Sequence, residues 1–169
     1  LEALARLAAH DPVQTARLFE GLPVNREASD RFAKLAEVWA GQDPQAALAW
    51  ASKLEFEAIR AQALSALFRN WGRNDRSAVD SLEVVENERL RSKIFGEMAS
   101  EIFGKELQDA ADWARGLKVD FRAQALALLG SQTAGENPEL ATQYLTEALE
   151  LEDYNNLGQP AADLSLIHI

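Results

Sequence analysis

Apolar positions recur every three to four residues along most of the chain, the spacing that places side chains on one face of an α-helix. Short polar turns separate these stretches, and no stretch shows the strict alternation and β-branched content typical of a strand. The pattern therefore predicts an all-α protein. We expect helices at about 1–9, 12–22, 28–40, 44–54, 57–71, 76–84, 88–103, 107–116, 120–134 and 138–150.

The helical pattern itself repeats with a period of 31 or 32 residues, marked by alanines in similar surroundings: Ala16, Ala47, Ala78, Ala110 and Ala141. Two short helices fill such a period, and units of this size bury a core only by stacking on their neighbours. We therefore predict a right-handed α-solenoid of about five helix-turn-helix repeats. The predicted repeats span about 1–26, 27–56, 57–87, 88–119 and 120–151.

Turn residues recur in step with the alanines. A glycine is expected to end the first helix of the last four repeats in a left-handed C-cap conformation (Gly41, Gly72, Gly104 and Gly135), whereas the first repeat has none. An aspartate or asparagine is expected to cap the next helix (Asp11, Asp43, Asp75 and Asn137), and a proline often takes its first position (Pro12, Pro44 and Pro138).

Large apolar residues also recur at two positions of the repeat. They stand near the end of the first helix (Leu7, Trp39, Trp71 and Phe103) and within the second helix (Phe19, Trp50, Trp113 and Tyr144). The tryptophans offer the π-faces of an aromatic cage for a cation. Their fixed place in the repeat favours packing in the core instead.

Residues 1 to about 151, taken as a whole, resemble the tetratricopeptide-like class of α-solenoids. The chain lacks that family's period of about 34 residues and its consensus. The combination of Trp39, Ala40, Asp43 and Pro44 with Ala47 and Trp50 is more similar to alanine-rich repeats of about 30 residues in bacterial proteins, many of which look exported. The resemblance implies a scaffold without known chemistry and favours an exported or periplasmic location.

Composition and charge limit the classes of partner and location that the chain can have. The chain has 169 residues, 47% of them hydrophobic, no cysteine and a net charge of −10. No apolar run in the chain approaches the length of about 18 residues that a membrane-spanning helix requires. Residues 123–169 hold seven Asp or Glu side chains and no Lys or Arg. Because nucleic-acid binding depends on basic patches, we expect no nucleic-acid partner.

Residue types that support catalysis or metal binding are sparse. His10 stands beside Asp11, but no nucleophile accompanies the pair. The stretch 153–158 begins like a calcium loop, but Leu157 and Leu164 occupy positions that require oxygen ligands. We therefore predict no enzyme activity, no cofactor and no metal.

Basic residues in the middle of the chain are the candidate partner-binding group: Arg69, Arg73, Arg91 and Lys93. They are expected on the polar side of the third and fourth first helices, the inner surface of a tetratricopeptide-like solenoid. There they would hold an acidic peptide or a C-terminal carboxylate. The alternative is that they pair with glutamates of the chain, namely Glu83, Glu86, Glu88 and Glu97.

Both ends suggest a piece of a longer protein. The chain begins without Met inside a helical pattern, and residues 152–163 are expected to form an exit loop. Residues 164–169 look like the in-frame translation of the mosaic-end adapter of transposase-based sequencing libraries, the alternative being an authentic apolar tail. We expect a non-enzymatic scaffold for a protein, a peptide or another domain of the same chain. The alternative is a structural spacer beside a functional domain.

Overall fold

A computed structural model of the protein describes residues 2–20, 26–103 and 107–156. All regular structure in this part of the chain is helical, which confirms the all-α prediction. The elements are α1 (Glu2–His10), α2 (Pro12–Glu20), α3 (Arg26–Ala40), α4 (Pro44–Ala51), α5 (Glu57–Asn74), a 3₁₀ helix (Arg76–Val84), α6 (Glu88–Phe103), α7 (Leu107–Gly116), α8 (Val119–Thr133) and α9 (Pro138–Asn156).

Helix starts follow the predicted chemistry. Each of the four predicted caps accepts a hydrogen bond from a backbone N–H of the next turn: Asp11 from Gln14 (2.8 Å), Asp43 from Ala46 (2.9 Å), Asp75 from Ser77 (2.9 Å) and Asn137 from Leu140 (3.1 Å). Asn87, which the sequence analysis did not single out, caps α6 in the same way through the N–H of Leu90 (3.0 Å). Side-chain oxygens thus satisfy N–H groups that a helix start leaves free.

Helix ends follow the prediction less well. Gly41 and Gly135 lie in turns, as expected, but neither has the left-handed backbone predicted for it. Gly72 does not end a helix at all, because α5 continues to Asn74. A Cβ at Gly72 would lie 2.2 Å from Cγ of Met98, so this glycine permits a close approach of α6 to α5. Gly104 lies outside the described residues.

The type of one helix and the end of another differ from the prediction. Residues 76–84 form a 3₁₀ helix, in which Asp75 caps the N–H two residues ahead and no proline fixes the first turn. Helix α9 ends at Asn156, so residues 152–156, expected in a loop, are helical. The rest of the predicted exit loop and residues 164–169 lie outside the described part of the chain.

The chain forms two compact units that divide between Ile102 and Phe103. In the first unit α1, α3 and α5 pack in succession, and α2 and α4 pack beside them. Side chains link equivalent helix ends 33 residues apart. Gln42 donates from Nε2 to the carbonyl oxygen of Ala9 (3.0 Å), and Asn70 donates from Nδ2 to that of Glu37 (2.6 Å).

Aromatic rings fill the core of the first unit where the repeat predicts them. Trp39 and Trp71 are each only 7% exposed. The ring of Trp50 lies 5.5 Å from that of Trp39 and 6.0 Å from that of Phe32. Trp39 and Trp71 thus pack in the core, as predicted, whereas Trp50 and Trp113 are only partly buried.

The second unit contains α7, α8 and α9, and α8 packs against both others. Tyr144 is buried, and Phe103 meets Trp113 edge to face with ring centroids 5.7 Å apart. Gly130 lets α9 approach α8, since a Cβ there would lie 2.7 Å from Cγ of Leu145. Close helix packing thus fixes this unit as well.

Candidate functional site

Three of the four candidate basic residues form an ion pair or a hydrogen bond with another group of the chain. Arg73 pairs with Glu101 at 3.1 Å, Lys93 with Glu97 at 3.7 Å, and Arg91 donates from Nη1 to the carbonyl oxygen of Val85 at 3.2 Å. The pair of Lys93 and Glu97 is one that the salt-bridge alternative proposed.

Arg69 is exposed, and its side chain makes no hydrogen bond or ion pair with any residue that the structure describes. It shares a face of α5 with Arg73, one turn away. Arg91 and Lys93 are two residues apart on α6 and therefore point in different directions. The four side chains do not present one basic patch.

Arg91 belongs to a structural series that the sequence analysis missed. Arg60, Arg91 and Arg122 are each the fourth residue of a first helix and follow one another at 31-residue intervals. Each donates to a carbonyl oxygen just before that helix: Arg60 to Leu54 (2.5 Å), Arg91 to Val85 (3.2 Å) and Arg122 to Leu117 (3.1 and 2.8 Å).

Charge-assisted bonds of this kind satisfy carbonyl groups near the end of the preceding helical segment. The arginine spacing equals the alanine spacing, and this was the signal that could have revealed the series. In the structure Arg91 joins the start of α6 to the segment that precedes it.

A pocket of about 570 Å³ lies within the first unit beside two of these junctions. Its walls come from Ser52 after α4, from the first turns of α5, from the end of the 3₁₀ helix and from the start of α6. We call it the repeat-junction pocket. Its volume falls in the range of about 300–1,000 Å³ typical of ligand sites.

The pocket combines apolar walls with two carboxylates. Leu64 and Val85 are buried, whereas Val84 is 53% exposed. The carboxylates of Glu57 and Glu86 make no hydrogen bond or ion pair with any residue in the described ranges. The cation in the lining, Arg60, donates from Nη1 to the carbonyl oxygens of Leu54 and Glu55.

A second polar cluster lies in the second unit. Arg115 forms a two-pronged pair with Glu147 at 3.0 and 2.9 Å and lies over the ring of Tyr144. The hydrogen bonds from Arg115 hold the pKa of Glu147 below its ordinary value, against the smaller opposing effect of burial. Because both ionised groups are already paired, this cluster joins α7 to α9.

Within the described ranges, no three His, Cys, Asp or Glu side chains group as a metal site would, and no helix is long and apolar enough to cross a membrane. His10 is exposed at the end of α1. Asp153, the first position of the calcium-like stretch, is part of helix α9, and Leu157 and Gly158 lie outside the described residues.

Comparison with known proteins adds no relative: no protein family, no curated protein and no solved structure matches the chain.

Proposed function

We propose that the chain is a segment of a helical-repeat scaffold of the tetratricopeptide-like class, a right-handed α-solenoid that binds a protein or peptide and catalyses no reaction. The observation that carries this proposal is the repeat-junction pocket. Its lining comes from three consecutive predicted repeats, through Ser52, then Glu57 to Asn87, then Leu90. Stacking of these repeats would bring their residues to one pocket, which supports the proposal.

The packing of the first unit supports the solenoid. Helices α1, α3 and α5 are successive neighbours although each is separated in sequence by another helix. The bonds from Gln42 to Ala9 and from Asn70 to Glu37 fix that succession at the helix ends. Contacts between equivalent positions of adjacent units are the interactions that stabilise repeat proteins.

Panning a random peptide library against the immobilised chain tests the binding function. Val84→Trp places an indole at an exposed position of the pocket wall, and Val13→Trp places one at a similarly exposed position on α2. We expect enriched peptides to bind the native chain and Val13→Trp alike and to lose binding to Val84→Trp.

The alternative role, a structural spacer, predicts a different result. A spacer has no selected surface, so the library should yield no peptide that distinguishes Val84→Trp from Val13→Trp. That outcome would refute the scaffold proposal, provided that both variants show the circular dichroism of the native chain.

A further inference from the structure

We infer that the repeat-junction pocket holds a lysine or arginine side chain of a peptide partner. This inference rests on the proposed scaffold function and specifies its ligand. It replaces the expected acidic partner with a basic one, because the pocket combines carboxylates with apolar walls.

Charge is the first argument. Glu57 lies in the first turn of α5 and Glu86 lies between the 3₁₀ helix and α6, so the start and the end of one predicted repeat each contribute one carboxylate to the lining. Both are exposed, and no described cation pairs with either. By contrast, Glu101 and Glu97 are paired with Arg73 and Lys93. An ammonium or guanidinium group supplies the charge-assisted hydrogen bonds that these two carboxylates lack.

Shape is the second argument. Lysine and arginine carry their charge on an aliphatic stem that packs on apolar surface. Leu64, Val84, Val85 and Leu90 provide such a surface next to the carboxylates. A volume of about 570 Å³ exceeds that of one side chain, so the pocket also has room for a flanking residue of the partner.

An anionic partner fits this position poorly. The starts of α5 and α6 favour anions through their free N–H groups. Glu57 and Glu88 already occupy their first turns, and Glu86 adds a further negative charge. Arg60 donates to backbone carbonyls instead of facing these acids in an ion pair. A net charge of −10 also steers cationic segments toward the chain.

The probe for this inference is an acetylated and amidated peptide, Ala-Leu-Lys-Leu-Ala, titrated into the ¹⁵N-labelled chain. Two comparison peptides carry norleucine or glutamate at the centre. We expect the lysine peptide to shift the amide signals of Glu57, Arg60 and Glu86. The norleucine peptide should bind about tenfold more weakly, because it keeps the stem and loses the charge-assisted bonds.

Matched variants separate local from general charge effects. Glu57→Gln combined with Glu86→Gln should weaken binding of the lysine peptide about tenfold. Glu27→Gln combined with Glu139→Gln removes the same charge from exposed positions in the first turns of α3 and α9, outside the pocket lining, and should leave binding unchanged.

Three results would overturn the inference: equal affinity for the norleucine peptide, equal loss in both double variants, or no shift at the pocket at millimolar peptide. If the library then still yields peptides that depend on Val84 but not on a basic residue, the scaffold function stands and only the basic ligand is wrong. If the library yields no peptide that depends on Val84, both the scaffold function and the basic ligand are wrong.

Discussion

Gly72 is the position where a single methyl group should disturb the first unit most clearly. Its Cβ would lie 2.2 Å from Cγ and 2.7 Å from Sδ of Met98, which is fully buried. Optimal carbon contacts are about 3.5–4.0 Å, so α6 or the Met98 side chain must move by more than about 1 Å.

The magnitude follows from two opposing effects of Gly72→Ala. Alanine favours a helix interior over glycine by about 0.8–1.0 kcal/mol. Overpacking a filled core costs about 1–3 kcal/mol, and the short distances to Met98 place this case at the upper end. The expected net loss in free energy of unfolding is therefore about 1–2 kcal/mol.

Urea unfolding followed by tryptophan fluorescence measures this loss. In a Trp113→Phe background the remaining tryptophans, Trp39, Trp50 and Trp71, all belong to the first unit. Gly116→Ala is the matched control, because a Cβ there meets nothing within 4 Å. That variant, followed by circular dichroism, should be as stable as the native chain or slightly more stable.

The decisive comparison is the same change made in a Met98→Ala background. With Cγ and Sδ removed, Gly72→Ala should become neutral or stabilising by up to about 1 kcal/mol, since only the helix preference remains. If Gly72→Ala is as harmful without Met98 as with it, the close approach of α5 and α6 is not the reason for the glycine.

Three other changes test the remaining structural claims. Trp39→Ala should destabilise the first unit by about 3–5 kcal/mol and lower its melting temperature, whereas truncation of half-exposed Phe56 should have little effect; equal effects would contradict the core assignment. Asp43→Ala should lower the free energy of unfolding in urea by about 1 kcal/mol, because it removes the cap of α4, whereas Asp43→Asn should keep most of that stability. An equal loss in both variants would contradict the cap. The lowered pKa of Glu147 means that its pairing with Arg115 stabilises the second unit above the unfolded-state pKa and stops doing so as pH falls through the folded-state value. Glu147→Gln should therefore lower stability at neutral pH and flatten its acid dependence, as measured by urea unfolding across that range; an unchanged pH profile would contradict the pairing.

Helix positions were predictable because their start signals are local. Asp43 followed by Pro44 acts within one turn of chain, and the structure shows the cap that this pair predicts. Gly41 and Gly72 occupy equivalent positions of the repeat, yet one follows a helix and the other lies inside one. What a side chain at position 72 would meet is Met98, a tertiary contact that local sequence does not contain.

The site was less predictable for the same reason. Arg91 looked like a free cation, because its partner is a backbone carbonyl that sequence does not mark. The 31-residue counterparts of the pocket's two carboxylates, Glu88 and Glu55, do not line the repeat-junction pocket, so spacing in the sequence does not single out Glu57 and Glu86. Only the folded chain brings them to one pocket.

The most direct test of the central claim is the affinity of a library-selected peptide for three forms of the chain: native, Val84→Trp and Val13→Trp. Isothermal titration calorimetry should give equal dissociation constants for the native chain and Val13→Trp and no measurable binding to Val84→Trp. Equal binding to all three forms would show that the repeat-junction pocket is not the site where this chain holds a partner.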